Sequence, residues 1–226
     1  MTLKNKAFLE HLISFVSENK QAIFQEVISN RTNHFTVVLE DIFQPHNASA
    51  ILRSCDVFGV QNVHIIENKN EYNINPKVVM GASKWLNIHK HNELENNTLS
   101  CINQLRNQGY KIYATSPHAD SYLIENIPID NKFALFFGTE KEGLSDLVLD
   151  NADEHVKIPM YGFTESLNIS VSGAICMYEI SKRLKSSNIN WQLSDQEKTD
   201  LLIEWAKKVV KRSEAIENDF YNNLTP

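Results

Sequence analysis

Apolar residues recur along this chain at two alternating spacings. "TVVLE" (36–40), "NVHIIE" (62–67), "YKIYAT" (110–115), "KFALFFG" (132–138) and "EHVKIPM" (154–160) are short and apolar, and "WLNIHKH" (85–91) alternates; all six read as strands. Between them lie segments of helical spacing. One covers 46–58, where Ala48, Ile51, Leu52, Cys55 and Phe58 would face a core and Gly59 would close the helix. Others run through "LSCINQLRNQ" to Gly109, follow "TEKEGLS" briefly, and fill "NISVSGAICMYEISKRLK" (168–185). "NKNEYNIN" (68–75) reads as a polar loop. Such strand–helix alternation predicts an α/β fold, with a largely parallel sheet and helices on both faces.

The two ends read differently. Residues 3–29 carry a helical stripe of Phe8, Leu12, Phe15, Val16, Ile23 and Val27. Near the other end, Ser194 followed by Glu197 is a capping-box signature, and Leu201, Trp205, Val209 and Ile216 would share one helical face beside Lys207, Lys208 and Lys211. The organisation expected is an N-terminal helical extension (1–32), a central α/β domain (33–186) and a C-terminal helical tail (187–226).

Composition narrows the class. No apolar run is long enough to span a bilayer, and the first residues lack the apolar core of a signal peptide. Cys55, Cys101 and Cys176 are far apart and form no CxxC, which suits buried thiols in a reducing cytoplasm. The net charge of −6 argues against a protein that coats nucleic acid nonspecifically, but leaves room for an RNA enzyme with a local basic face.

Candidate chemistry lies in three polar stretches. No G-x-G-x-x-G occurs, so a nicotinamide-dependent oxidoreductase lacks its fingerprint. "GTEKEGLS" (138–145) has the glycine spacing of a phosphate-binding loop but Leu144 where that loop needs lysine. No serine stands in G-x-S-x-G. His89 and His91 read as ordinary strand histidines, without a third ligand at metal-site spacing. "IPMYGFTESLNIS" (158–170) offers Glu165, Ser166 and Asn168, of which helix capping would use one. "HNASAILRSCDVFG" (46–59) opens with Asn47, a candidate cap, and carries Arg53, which could simply pair with Asp56. All three stretches follow strands, so their side chains could converge at one sheet edge.

In this order they resemble the three motifs of the SPOUT RNA methyltransferases, in the TrmH branch. "VVLEDIFQPHNASAILRSCDVFGVQNVHIIE" (37–67) is similar to the first motif, "FALFFGTEKEGLS" (133–145) to the second and "VKIPMYGFTESLNISVSGAICMYE" (156–179) to the third. "QPHN" and the helical tail resemble the branch that methylates tRNA.

The resemblance implies a C-terminal trefoil knot, a homodimer and S-adenosyl-L-methionine as cofactor, held by Thr115, Gly138, Ile158, Met160 and Leu167. It implies that Arg53 activates a ribose 2′-hydroxyl, as a base assisted by an RNA phosphate or as a stabiliser of phosphate and alkoxide, while Asn47, Glu140, Ser166 and Asn168 orient the reactants. The long motif-three helix, with Ile175 and Met177, would meet the second copy. Lys4, Lys6, Lys182, Arg183, Lys207, Lys208, Lys211 and Arg212 are candidate RNA-phosphate contacts. The expected reaction is 2′-O-methylation of a guanosine in the tRNA D-loop, without membrane or DNA partners. Ribosomal RNA as substrate, or a catalytically silent RNA-binding module, are the alternatives.

Overall fold

Seven strands of a computed structural model, which describes residues 3–73, 75–117 and 121–223, form a single parallel sheet. They are β1 Phe35–Glu40, β2 Asn62–Ile66, β3 Asn87–His91, β4 Lys111–Thr115, β5 Tyr122–Leu123, β6 Phe133–Phe137 and β7 Glu154–Lys157. Their spatial order is β3-β2-β1-β6-β4-β7-β5. The chain divides into two units, and this sheet belongs to the one spanning Thr32–Trp191.

The central strands β1 and β6 are buried along their whole length, as their apolar runs require, and align Leu39 with Phe137. Alternation sorts their side chains to two faces. One face joins Val37, Leu39, Leu135 and Phe137 to helices α3 (Pro45–Phe58) and α7 (Ile169–Ser186) through Ile51, Leu52, Cys55 and Met177. The other joins Val38, Ile66 and Phe136 to α5 (Asn97–Asn107) and α6 (Asp146–Asn151) through Cys101, Ile102, Leu105 and Val148. Where α3 meets α7, a Cβ on Gly173 would lie 3.4 Å from Ile51, so only a small residue keeps the helices this close.

The second unit comprises Met1–Arg31 with Gln192–Pro226, and its described part is helical: α1 (Leu3–Ile13), α2 (Glu18–Ile28), α8 (Asp195–Val209) and α9 (Ser213–Asn223). Ser194 and Glu197 form the expected capping box. Phe24 and Trp205 pack with ring centroids 5.5 Å apart.

Several expectations change. The N-terminal stripe is broken at 14–17, which resets the helical phase: Phe24 and Ile28 are buried, whereas Phe15 and Ile23 are exposed. The C-terminal stripe is split at 210–212, where α8 has ended at Val209 and Arg212, at φ 55°, precedes the next helix, so Ile216 belongs to a different helix from Trp205. Trp85 and Leu86 precede β3 rather than opening it, because residues 82–84 form a 3₁₀ turn. The loop 68–75 is irregular as expected, with a short helix α4 (Pro76–Val79) after it; Ile74 lies outside the described residues. Met177 is fully buried, its sulfur 3.6 Å from the Cys55 sulfur, and is unavailable to a second copy. All three cysteines are buried free thiols.

Candidate active site

The loops leaving β4, β6 and β7 share one edge of the sheet and enclose a cavity of about 400 Å³. That volume is within the range of small-molecule sites. Thr115, Gly138, Ile158, Met160 and Leu167 all line it, together with Glu140 and Ser166. These residues come from separate stretches of the sequence, and the fold brings them to one wall.

Gly138 explains the shape of this wall. The loop after β6 turns back on itself, with Thr139 N donating to Gly143 O at 2.9 Å and Gly143 N to Thr139 O at 3.1 Å. A Cβ on Gly138 would lie 2.0 Å from Gly143 O, so any other residue would push the loop out. Gly143 itself sits at φ 74°, where glycine carries no steric cost.

A polar chain links two of the stretches to the third. Asn168 caps α7: its Oδ1 accepts from Ser170 N at 2.9 Å and from Ser170 Oγ at 2.5 Å. Its Nδ2 donates to Asn47 Oδ1 at 3.2 Å and to the Glu140 carboxylate. Asn47 is not the cap of α3. Pro45 occupies the first turn and moves the cap to Gln44, which leaves Asn47 nearly buried inside the helix. Ser49 is fully buried and accepts from Asn75 N at 2.9 Å, anchoring the chain just before α4.

Arg53 stands apart from these groups. It is exposed on α3, is not in the cavity wall, and has no hydrogen-bond or ion-pair partner among the described residues. The expected pair with Asp56 is therefore not made.

One residue escapes a reading of the sequence. Glu40, at the end of β1, is buried; its Oε1 accepts from Thr98 Oγ1 at 2.7 Å and Ser145 Oγ at 2.8 Å, and its Oε2 from Ser145 N at 2.9 Å. It fixes the far end of the 138–145 loop. A carboxylate ending an apolar strand and a serine opening a helix are the available signals, but nothing local pairs them across 105 residues.

The SpoU rRNA Methylase family pattern matches residues 34–178, which includes every residue of the cavity wall and the polar chain. The chain belongs to this family. A tRNA (guanosine(18)-2′-O)-methyltransferase from Borreliella burgdorferi is 46% identical over 92% of this chain and 93% of its own length. A protein of the same description from Thermus thermophilus is 32% identical over 85% of this chain and 98% of its own. The crystal structure of a TrmH/SpoU tRNA modifying enzyme from A. aeolicus superposes with a TM-score of 0.75 at 29% identity, covering 86% of this chain and 98% of that one.

The basic residues that the SpoU-like sequence suggests for RNA fall into two groups. Arg183 donates to the carbonyls of Ile124 at 3.2 Å and Ile127 at 2.7 Å, so its guanidinium is engaged in holding the fold together. Lys207 is paired with Glu217 at 2.6 Å and Lys182 with Glu179 at 3.8 Å. Lys4, Lys6, Lys208, Lys211 and Arg212 are exposed.

Proposed function

We propose that this chain transfers a methyl group from S-adenosyl-L-methionine to the ribose 2′-hydroxyl of a guanosine in the tRNA D-loop, the position named for its relatives being guanosine 18. The observation that carries this reading is a cavity walled by the second and third family stretches, to whose rim Asn168 ties Asn47 of the first through its bonds to Asn47 and Glu140.

The cavity fits the cofactor chemically. Ile158, Met160 and Leu167 offer apolar surface for an adenine, and the glycine-dependent loop at Gly138 exposes backbone to a polar ligand at close range. When bound, the cofactor supplies a methyl on a cationic sulfur, a carbon that a ribose oxygen attacks as the sulfur departs as a neutral thioether. The protein's part is to align that oxygen and take up its proton. Glu140 and Ser166 border the cavity where the ribose would enter, and Asn168 holds the Glu140 carboxylate in place.

Arg53 has to reach this rim from elsewhere. It follows Asn47 by six residues, about 9 Å along the helix. It shares a stripe of α3 with the exposed Val57, and α7 presents the exposed Val171, Ile175 and Tyr178 at helical spacing. This apolar surface suits a second copy of the chain, an isologous homodimer in which each Arg53 serves the partner's cavity. There, a planar guanidinium can hold an RNA phosphate and stabilise the developing alkoxide. Lys208, Lys211 and Arg212 would meet the RNA backbone. The strand order supports the trefoil knot, since β7 lies between β4 and β5 although β6 intervenes in sequence. The free thiols suit a cytoplasmic enzyme.

The test is incubation with labelled S-adenosylmethionine, unmodified tRNA and ribosomal RNA, followed by nuclease mapping. Label on a D-loop guanosine ribose is expected; label only in ribosomal RNA, or none, overturns the reading. Mixing Arg53→Ala with Glu140→Gln protomers should restore activity that neither variant has alone, because one site in the mixed dimer is intact. Failure to restore it would return Arg53 to its own cavity.

A further inference from the structure

The α5 face of the sheet carries a side-chain cluster that methyl transfer does not use. β2 and β3 run parallel with His64 opposite His89 and Ile66 opposite His91, so the three histidines point to one side. The His64 ring stacks on those of His89 and His91, with centroids 4.7 and 5.3 Å apart. His64 Nδ1 lies 3.0 Å from His91 Nε2. Above them α5 delivers Cys101, and its Sγ and one nitrogen each of His64 and His91 all lie within 4.8 Å of one another. His64 and Cys101 are buried, and His91 is half-buried, leaving the cluster open on one side.

Two imidazoles and a thiolate are a donor set for a thiophilic metal ion, and hard cations such as Mg²⁺ avoid it. Zn–N bonds of about 2.1 Å and a Zn–S bond of about 2.3 Å place tetrahedral donor atoms roughly 3.3–3.8 Å apart. The histidine nitrogens already stand near that spacing, at 3.0 Å, and the sulfur lies within 4.8 Å of both. The buried Glu40 carboxylate acts on Cys101 electrostatically and has no ion-pair partner among the described residues, so a cation here offsets a buried negative charge.

We propose that His64, His91 and Cys101 form a binding site for a thiophilic metal ion, Zn²⁺ or Cu⁺, that clamps β2, β3 and α5 together. Binding releases the Cys101 thiol proton to solvent. It also replaces the His64–His91 hydrogen bond, whose shared N–H moves to the other nitrogen of its own ring. Solvent fills the remaining coordination position on the open side.

Titration of chelator-stripped protein with Co²⁺, under anaerobic conditions, reads this site directly. One equivalent should give a thiolate-to-cobalt charge-transfer band and intense visible bands, displaced by one equivalent of Zn²⁺. Cys101→Ala should abolish the charge-transfer band, while Cys55→Ala and Cys176→Ala keep it. His91→Gln, at a half-buried position where folding is least at risk, should weaken Co²⁺ binding at least a hundredfold with an unchanged circular dichroism spectrum. The absence of a charge-transfer band in wild type, its persistence in Cys101→Ala, or unaltered affinity in folded His91→Gln overturns the proposal.

Discussion

Glu40 and Glu140 stand at the same edge of the sheet, one ending β1 and the other in the loop after the neighbouring β6, yet their surroundings are opposite. Glu40 is buried and receives three hydrogen bonds from Thr98 and Ser145. Glu140 is exposed, and Asn168 is its hydrogen-bond partner among the described residues. A carboxylate whose acceptor positions are taken by protein donors is part of the framework; one that keeps positions open beside a cavity is available to a ligand. The same contrast separates the settled Arg183, bonded to two carbonyls, from Arg53, which has no partner among the described residues.

The sharpest way to break this comparison is to move the loop that Glu40 anchors. Gly138→Ala places a methyl 2.0 Å from Gly143 O, so the cavity wall shifts while the buried core is untouched. Methylation should fall by about a hundredfold or more, the scale of a 1 Å misplacement, with cofactor affinity falling too. Calorimetry and turnover check this, and a fully active variant would show that the wall tolerates displacement.

Next come the two carboxylates themselves. Glu40→Gln should destabilise by about 1–3 kcal/mol, because an amide cannot accept all three bonds and leaves a buried donor unsatisfied. Glu140→Gln should leave the thermal midpoint within about 2 °C of wild type and depress turnover instead. Thermal melts beside methylation assays separate the pair. Equal stability losses would erase the distinction drawn between them.

Much of this is legible in the sequence. β1, β6, α3 and α7 carry unbroken apolar patterns, with Gly59 closing α3 and Asn168 capping α7, so local spacing locates them. The five residues expected to hold the cofactor all line the cavity; Gly138, Ile158, Met160 and Leu167 sit in the second and third motif-like stretches, whereas Thr115 ends a strand outside them. What escapes depends on chain order and distant pairing. β5 is two residues long and carries no periodicity. The phase shift between Phe15 and Phe24 arises from a break of four residues that interrupts one continuous-looking stripe. Asn47 reads as a cap, but Pro45 displaces the helix start and leaves it inside the first turn. Cys101 and His64 join only once α5 folds over β2.

A smaller effect concerns acid. Burial, then repulsion from His89 and His91, holds His64 down to about 3, and burial lowers His89 and His91 as well. Below the ordinary value of 6.5 the unfolded chain takes up protons that the folded chain refuses. Stability should therefore be level above that pH and decline as pH falls towards 3, by up to about 1.4 kcal/mol per pH unit from His64 alone. Denaturant melts with chelator present should show a shallower decline in His64→Gln. An identical pH slope would remove the cluster from the buried, settled class.

The smallest effect expected is on RNA affinity. Replacing Lys208, Lys211 and Arg212 with glutamine should flatten the salt dependence of tRNA binding by roughly 0.7–0.9 in log–log slope for each phosphate no longer neutralised, with cofactor affinity unchanged. Lys207→Gln, removing a residue already paired with Glu217, should change that slope least. The reverse ranking would move the RNA face to the Lys207 side of the helix.

Arg53 is where the contrast between settled and open groups meets chemistry. Single-turnover methylation of tRNA by Arg53→Ala, at saturating S-adenosylmethionine, removes product release and cofactor binding from the rate. The account predicts a rate at least about a hundredfold below wild type, the scale of losing a charge-stabilising or proton-transfer group, with thermal midpoint and cofactor affinity unchanged. A near-wild-type single-turnover rate would contradict it.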